Sequence, residues 1–88
     1  MIPQDLETEF LQAVETASEM TQASLPQDVQ LRLYAFYKQA TFGNLDLKQH
    51  SSHHLRDAFK INAWMQIRHL SPEEAKENYI EIIKSLTS

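Results

Sequence analysis

Tyr34, Tyr37, Lys38 and Thr41 stand three and four residues apart, so on a helix they are neighbours on one face. Two phenols and an ammonium gathered there suit an aromatic, phosphorylated ligand: a ring to stack on, hydroxyls to donate, and a point charge for phosphate. The same residues also read as half-buried core tyrosines with wet tips beside a lysine that solvates the rim, because aromatic stripes at helical spacing usually pack. A second cation follows at Lys60, four residues before Trp64 and able to lie along the same side of a helix. Three histidines, His50, His53 and His54, raise the question of a metal. No carboxylate or cysteine accompanies them at a ligand spacing, and they read as a solvated loop. Ser51 and Ser52 beside His53 and His54 do not make triad geometry. With no cysteine and no Gly-x-Ser-x-Gly turn, nucleophilic catalysis is not expected.

The helix carrying the first group is expected to open at Pro26 and Asp28. Val29, Leu33, Phe36 and Ala40 recur at intervals of four, three and four and form its apolar stripe. Gly43, the sole glycine, ends it, since glycine enters the left-handed C-terminal conformation without steric cost. Ahead of it, Pro3 and Asp5 with Glu7 and Glu9 start a first helix. Leu6, Phe10, Ala13, Val14, Ala17 and Met20 mark its apolar face, and Thr21, Ser24 and Leu25-Pro26 form a linker. From Asn44 to Leu55 the periodicity disappears, which predicts a loop of about twelve residues, the length at which loops are often functional. Asp57 is expected to cap a third helix running through Arg68, with Ala58, Ile61, Trp64, Met65 and Ile67. Ser71-Pro72-Glu73-Glu74 opens the fourth, with Ser71 as cap, Pro72 in the first turn and Glu74 three residues on, as in a capping box. Ala75, Tyr79, Ile82 or Ile83, and Leu86 form its stripe, and Tyr79 needs a partner or water for its hydroxyl if buried. Four helices with no strand signal and no repeat predict an all-α bundle, one domain over residues 1–88.

Eighty-eight residues without a cysteine leave helix packing to supply the stability. The net charge of −4 is unevenly spread: residues 1–30 carry six acids and no lysine or arginine, while residues 31–70 hold six of the eight basic residues. The basic centre is too sparse for a phosphate backbone, so nucleic acid is not an expected partner. No apolar run approaches the roughly 18 residues of a membrane span. The acidic N-terminus has no signal-peptide core, so a cytoplasmic location is expected and stable membrane insertion is not.

Three blocks of residues together resemble the acyl-CoA-binding protein family. Tyr34-Ala35-Phe36-Tyr37-Lys38-Gln39-Ala40-Thr41-Phe42-Gly43 is similar to the family's Tyr-x-x-Tyr-Lys-Gln-Ala-Thr-x-Gly. Lys60-Ile61-Asn62-Ala63-Trp64 matches Lys-x-x-Ala-Trp, and Ser71-x-x-x-Ala75 is followed by Tyr79-Ile80. The resemblance runs from about Phe10 to Leu86 and implies an up-down-down-up bundle of four helices. It also implies roles: Tyr34, Lys38 and Lys60 holding the 3′-phosphate of the CoA nucleotide, Tyr37 packing on adenine, and Tyr79 contacting the ligand from the last helix. Val14 and Leu31 complete the expected ligand-binding set. The chain departs from the family pattern where Ser18 stands for a first-helix lysine, where Ile61 replaces an aromatic, and where His50-Ser51 replaces Pro-Gly.

The function so implied is non-covalent binding of medium- to long-chain fatty acyl-CoA, as an intracellular carrier and pool former, with no enzymatic activity, cofactor or metal. Burying a methylene is worth about 0.8 kcal/mol, so fourteen or so would supply about 10 kcal/mol as an upper bound. Transient contact with acyl-CoA-using enzymes or membranes fits such a carrier, and a monomer is expected because the apolar stripes are consumed by packing the helices together. The rival reading is a helical protein-interaction module whose acyl-CoA binding is weakened or lost, favoured by the missing first-helix lysine and the altered loop.

Overall fold

Asp5 opens the first helix as its residue type demands, its Oδ1 accepting from the Glu7 backbone N–H at 3.2 Å. In the computed structural model, which describes residues 5–43 and 55–87, four α-helices follow: α1 Leu6–Glu19, α2 Gln27–Phe42, α3 Leu55–Gln66 and α4 Pro72–Thr87. A short 3₁₀ turn, Gln22–Ser24, joins the first two. Among the described residues there is no strand, and no helix is long and apolar enough to cross a membrane. Pro3 and the stretch 44–54 lie outside the described residues.

The ends of the helices follow from local chemistry. Gly43 closes α2 at φ +76° and ψ −148°, its N–H donating to the Gln39 carbonyl. This is a positive-φ conformation all but reserved for glycine, extended and not the left-handed helical stop expected of it. Ser71 and Glu74 make the reciprocal pair of a capping box: Ser71 Oγ accepts from the Glu74 N–H at 3.1 Å, and Glu74 Oε1 from the Ser71 N–H at 2.9 Å. The third helix departs from expectation at both ends. It begins at Leu55, so Asp57 lies in its first turn and is not its cap. Acids are favoured in both places, by capping and by the helix dipole, and residue type alone does not separate them. It ends at Gln66 and not Arg68, giving way to tight turns in which Ile67, Arg68 and Leu70 donate three residues back. Those turns aim the Arg68 and Leu70 carbonyls at the side-chain nitrogen of Gln39.

Pairings between the helices set their directions. Glu7 meets Lys76 and Phe10 meets Tyr79, so α1 and α4 run the same way. Tyr34 meets Lys60 and Gln39 meets Trp64, so α2 and α3 do too. Gln39, near the end of α2, reaches Leu70, just before α4 begins, so these two oppose one another. The result is the up-down-down-up order, with α1 packed on α4, α4 on α2, and α2 on α3. Phe10, Ala13, Ala17, Leu33, Ala40, Ala75, Tyr79, Ile80 and Ile83 form the buried cluster, with Val14, Met20, Val29, Phe36, Ile82 and Leu86 half-buried against it. Met20 keeps this packing although it lies just beyond the end of α1. The stripe assigned to α2 is shifted: Ala35 and Gln39 are more deeply buried than Val29 or Phe36, because α3 packs on the flank where they lie.

Candidate functional site

The two cations predicted to share a site converge. Lys38 Nζ, from α2, stands 5.6 Å from the centre of the Tyr34 ring, and Lys60 Nζ, from α3, stands 5.2 Å from the same centre. Lys38 also lies 4.6 Å from the Phe42 ring. Such contacts between ammonium and aromatic face are worth about 0.5–1 kcal/mol each when exposed. The two at Tyr34 bring both cations to the centre of one ring, a grouping of positive charge that suits an anion.

Behind this pair opens a cavity of about 460 Å³ lined by Gln27, Gln30, Leu31, Leu33, Tyr34, Tyr37, Phe59, Lys60 and Tyr79. It is of the size that holds small ligands. Two of its lining rings, Tyr37 and Tyr79, rest on a third that lies behind them. Phe10, 2% exposed, stacks near-parallel to Tyr37 with ring centres 6.1 Å apart and meets Tyr79 edge-on at 5.2 Å. Tyr37 and Tyr79 are tilted against each other at 6.3 Å. The α1 helix therefore reaches the site through an aromatic prop that the sequence marked only as core. Lys76 lies 5.9 Å from the Phe10 ring centre and pairs with Glu7. Lys76 is thereby committed to the α1–α4 seam.

Of the expected residues, Leu31, Tyr34, Tyr37, Lys60 and Tyr79 line the cavity, and Lys38 stands beside it over Tyr34. Val14 does not line it and is half-buried against the core. Gln27, Gln30, Leu33 and Phe59 line it without having been singled out as ligand contacts. A signal for the first two was present, because positions 27 and 30 precede Tyr34 by seven and four residues and share its face. Ser18, standing where a lysine was looked for, is exposed and donates to its own helix at the Glu15 carbonyl, 2.7 Å away. Among the described residues no group of histidine, cysteine or carboxylate side chains is arranged to hold a metal ion. His50, His53 and His54 lie outside the described residues.

Burial raises the Tyr79 phenol above its ordinary value, and the neighbouring Tyr37 adds to the effect. The unfolded chain ionises this phenol near pH 10 and the folded one only higher, so the folded state binds the proton more tightly. Its contribution to stability is complete below about pH 10 and is lost as pH rises through the folded value. The urea midpoint is accordingly expected to fall as pH rises above about 10, and to fall less steeply in Tyr79→Phe; equal slopes in the two proteins would contradict the assignment.

A four-helix bundle with two cations, three aromatic rings and an adjoining cavity describes a binding domain for an aromatic ligand that carries an anion. Residues 7–83 match the acyl CoA binding protein family. The chain is 37% identical over 59 residues to the acyl-CoA-binding protein of Saccharomyces cerevisiae, which covers 67% of this chain and 68% of that protein. It is 39% identical over 70 residues to acyl-CoA-binding domain-containing protein 2 of Arabidopsis thaliana, covering 80% of this chain and 20% of that longer protein. The crystal structure of Oryza sativa acyl-CoA-binding protein 2 superimposes with a TM-score of 0.84 at 33% identity, over 93% of this chain and 90% of that one. The chain belongs to the acyl-CoA-binding protein family.

Proposed function

We propose that the protein binds fatty acyl-CoA esters of medium to long chain and carries them without chemical change. The observation that supports this most directly is the approach of Lys38 and Lys60, from separate helices, to the one ring of Tyr34. A 3′-phosphate bearing up to two charges is met there by two ammonium groups and a phenol, in charge-assisted hydrogen bonds about twice as strong as neutral ones. Adenine stacks on Tyr37, whose other side is backed by Phe10, at a gain of about 1–3 kcal/mol by analogy with bases on aromatic platforms. Tyr79 contributes its edge from α4, and Leu31 an apolar wall for the acyl chain. The groups gathered at this site recognise and hold, so the role is that of a carrier in the cytoplasm, handing esters to acyl-CoA-using enzymes or membranes as a monomer.

Isothermal titration with palmitoyl-CoA, acetyl-CoA and free CoA tests the reading. Palmitoyl-CoA is expected to bind more tightly than acetyl-CoA by at least two orders of magnitude. The transfer of its additional methylenes exceeds the cost of ordering them, at about 0.8 kcal/mol for each one buried. An absence of heat with palmitoyl-CoA at micromolar protein would instead favour the protein-interaction module.

A further inference from the structure

The cavity contains a polar feature that the nucleotide anchor does not use. Gln27 and Gln30 line it beside Leu31, on the face of α2 that carries Tyr34. Gln30 is half-buried, and its Nε2 donates to the Leu25 carbonyl at 2.8 Å. Only the nitrogen of a carboxamide can face a carbonyl in that bond, so the group has one orientation: nitrogen towards Leu25, oxygen away from it. Leu25 is itself packed against the core, which fixes the tether. Among the described residues no donor reaches the Gln30 Oε1. The result is a held acceptor on a wall that is otherwise partly apolar, with Leu31, Leu33 and Phe59 around it.

Resting on the acyl-CoA reading above, we propose that Gln30 is a specificity-determining residue that accepts a hydrogen bond from an N–H or O–H on the tail of the ligand. The phosphate and adenine are held at the Lys38, Lys60 and Tyr37 end, so the segment that follows them passes the Gln30 wall. Two parts of a CoA ester carry a suitable donor: the amides of the pantetheine arm, and a hydroxyl on the acyl chain. A segment without a donor laid against Oε1 strips water from the acceptor and returns nothing, so a ligand that places a donor there is preferred over one that does not.

The test is titration calorimetry of the wild-type protein, Gln30→Met and Gln30→Leu against four probes: adenosine 3′,5′-bisphosphate, CoA, palmitoyl-CoA and 16-hydroxypalmitoyl-CoA. Both variants are expected to bind the bisphosphate as the wild type does, which also shows that they are folded and that the anchor is intact. A loss of about three- to tenfold, the effect of one neutral hydrogen bond, appears with CoA and all its esters if a pantetheine amide is the donor. It appears with the hydroxylated ester alone if the acyl hydroxyl is. Unchanged affinity for all four probes overturns the proposal, as does an equal loss for the bisphosphate, which would make Gln30 a merely structural residue. A wild-type protein that binds none of the four fails the acyl-CoA reading itself, an outcome distinct from any change between wild type and variant.

Discussion

Replacing Lys38 and Lys60 together by alanine is expected to lower the affinity for CoA by a hundredfold or more while leaving the bundle folded. A hydrogen bond to a charged group is worth about 1.5–3 kcal/mol, so either replacement alone should cost roughly 10- to 150-fold. Each lysine is also half-buried at the rim and outside the buried cluster, and among the described residues the contacts forfeited are those with the rings of Tyr34 and, for Lys38, Phe42. Dephospho-CoA, which lacks the 3′-phosphate, separates this mechanism from a general loss of positive field. It should bind the wild type weakly and the double variant no more weakly. The salt dependence of CoA binding should also flatten in the variants, since screening acts on charge pairs that they no longer possess. If the double variant held CoA as tightly as the wild type, the phosphate would have to be anchored elsewhere.

The convergence of those two lysines was readable in outline before any coordinates, and the reason is geometric. Tyr34, Tyr37 and Lys38 lie within four residues of one helix, so periodicity alone places them together. Lys60 is on another helix, and nothing in its own neighbourhood says which way α3 faces; its role came from the resemblance of the whole block to a known family. Helix starts were legible where the chemistry is one-sided. Ser71-Pro72-Glu73-Glu74 and Asp5 admit a single reading, whereas Asp57 is equally content as a cap or inside the first turn. Gly43 was legible for the opposite reason, as the only residue in the chain free of the steric cost of a positive φ.

What escaped the sequence depends on contacts between helices. Phe10 reads as one more apolar residue on α1, and only the crossing of α1 with α4 brings it behind Tyr37 and Tyr79. Phe59 reads as a neighbour of Lys60, and only the spacing of α2 and α3 makes it a cavity wall, left 57% exposed. The same holds for the burial of Gln39, which a polar side chain does not announce. A glutamine on a helix has no reason to be buried until a partner on another segment satisfies it.

That glutamine carries the largest expected effect on stability. Gln39 is 1% exposed and joins three segments at once. Its Oε1 accepts from Trp64 Nε1 of α3 at 2.9 Å, while its Nε2 donates to the Leu70 carbonyl at 2.7 Å and, more distantly, to that of Arg68 at 3.4 Å. Gln39→Leu keeps the bulk but removes these hydrogen bonds. The carbonyl of Leu70 loses its donor, and the indole N–H falls back on the Gly43 carbonyl at 3.2 Å. Each polar group left unsatisfied costs about 1–3 kcal/mol, so a destabilisation of about 2–4 kcal/mol is expected, measured as a shift in urea midpoint at constant slope. In Trp64→Phe the ring is largely kept while the indole donor to Gln39 Oε1 is lost, at a cost of about 1 kcal/mol, the net worth of one neutral hydrogen bond. The decisive measurement is the double variant Gln39→Leu/Trp64→Phe. Both single changes remove the same Trp64–Gln39 hydrogen bond, which the double variant loses only once, so its cost should fall short of the sum of the singles by about 1 kcal/mol. Strict additivity would mean that the two side chains merely share the α2–α3 seam. The coupling, if found, identifies this hydrogen bond as a determinant of the α2–α3 register, the same register that brings Lys38 and Lys60 to one ring.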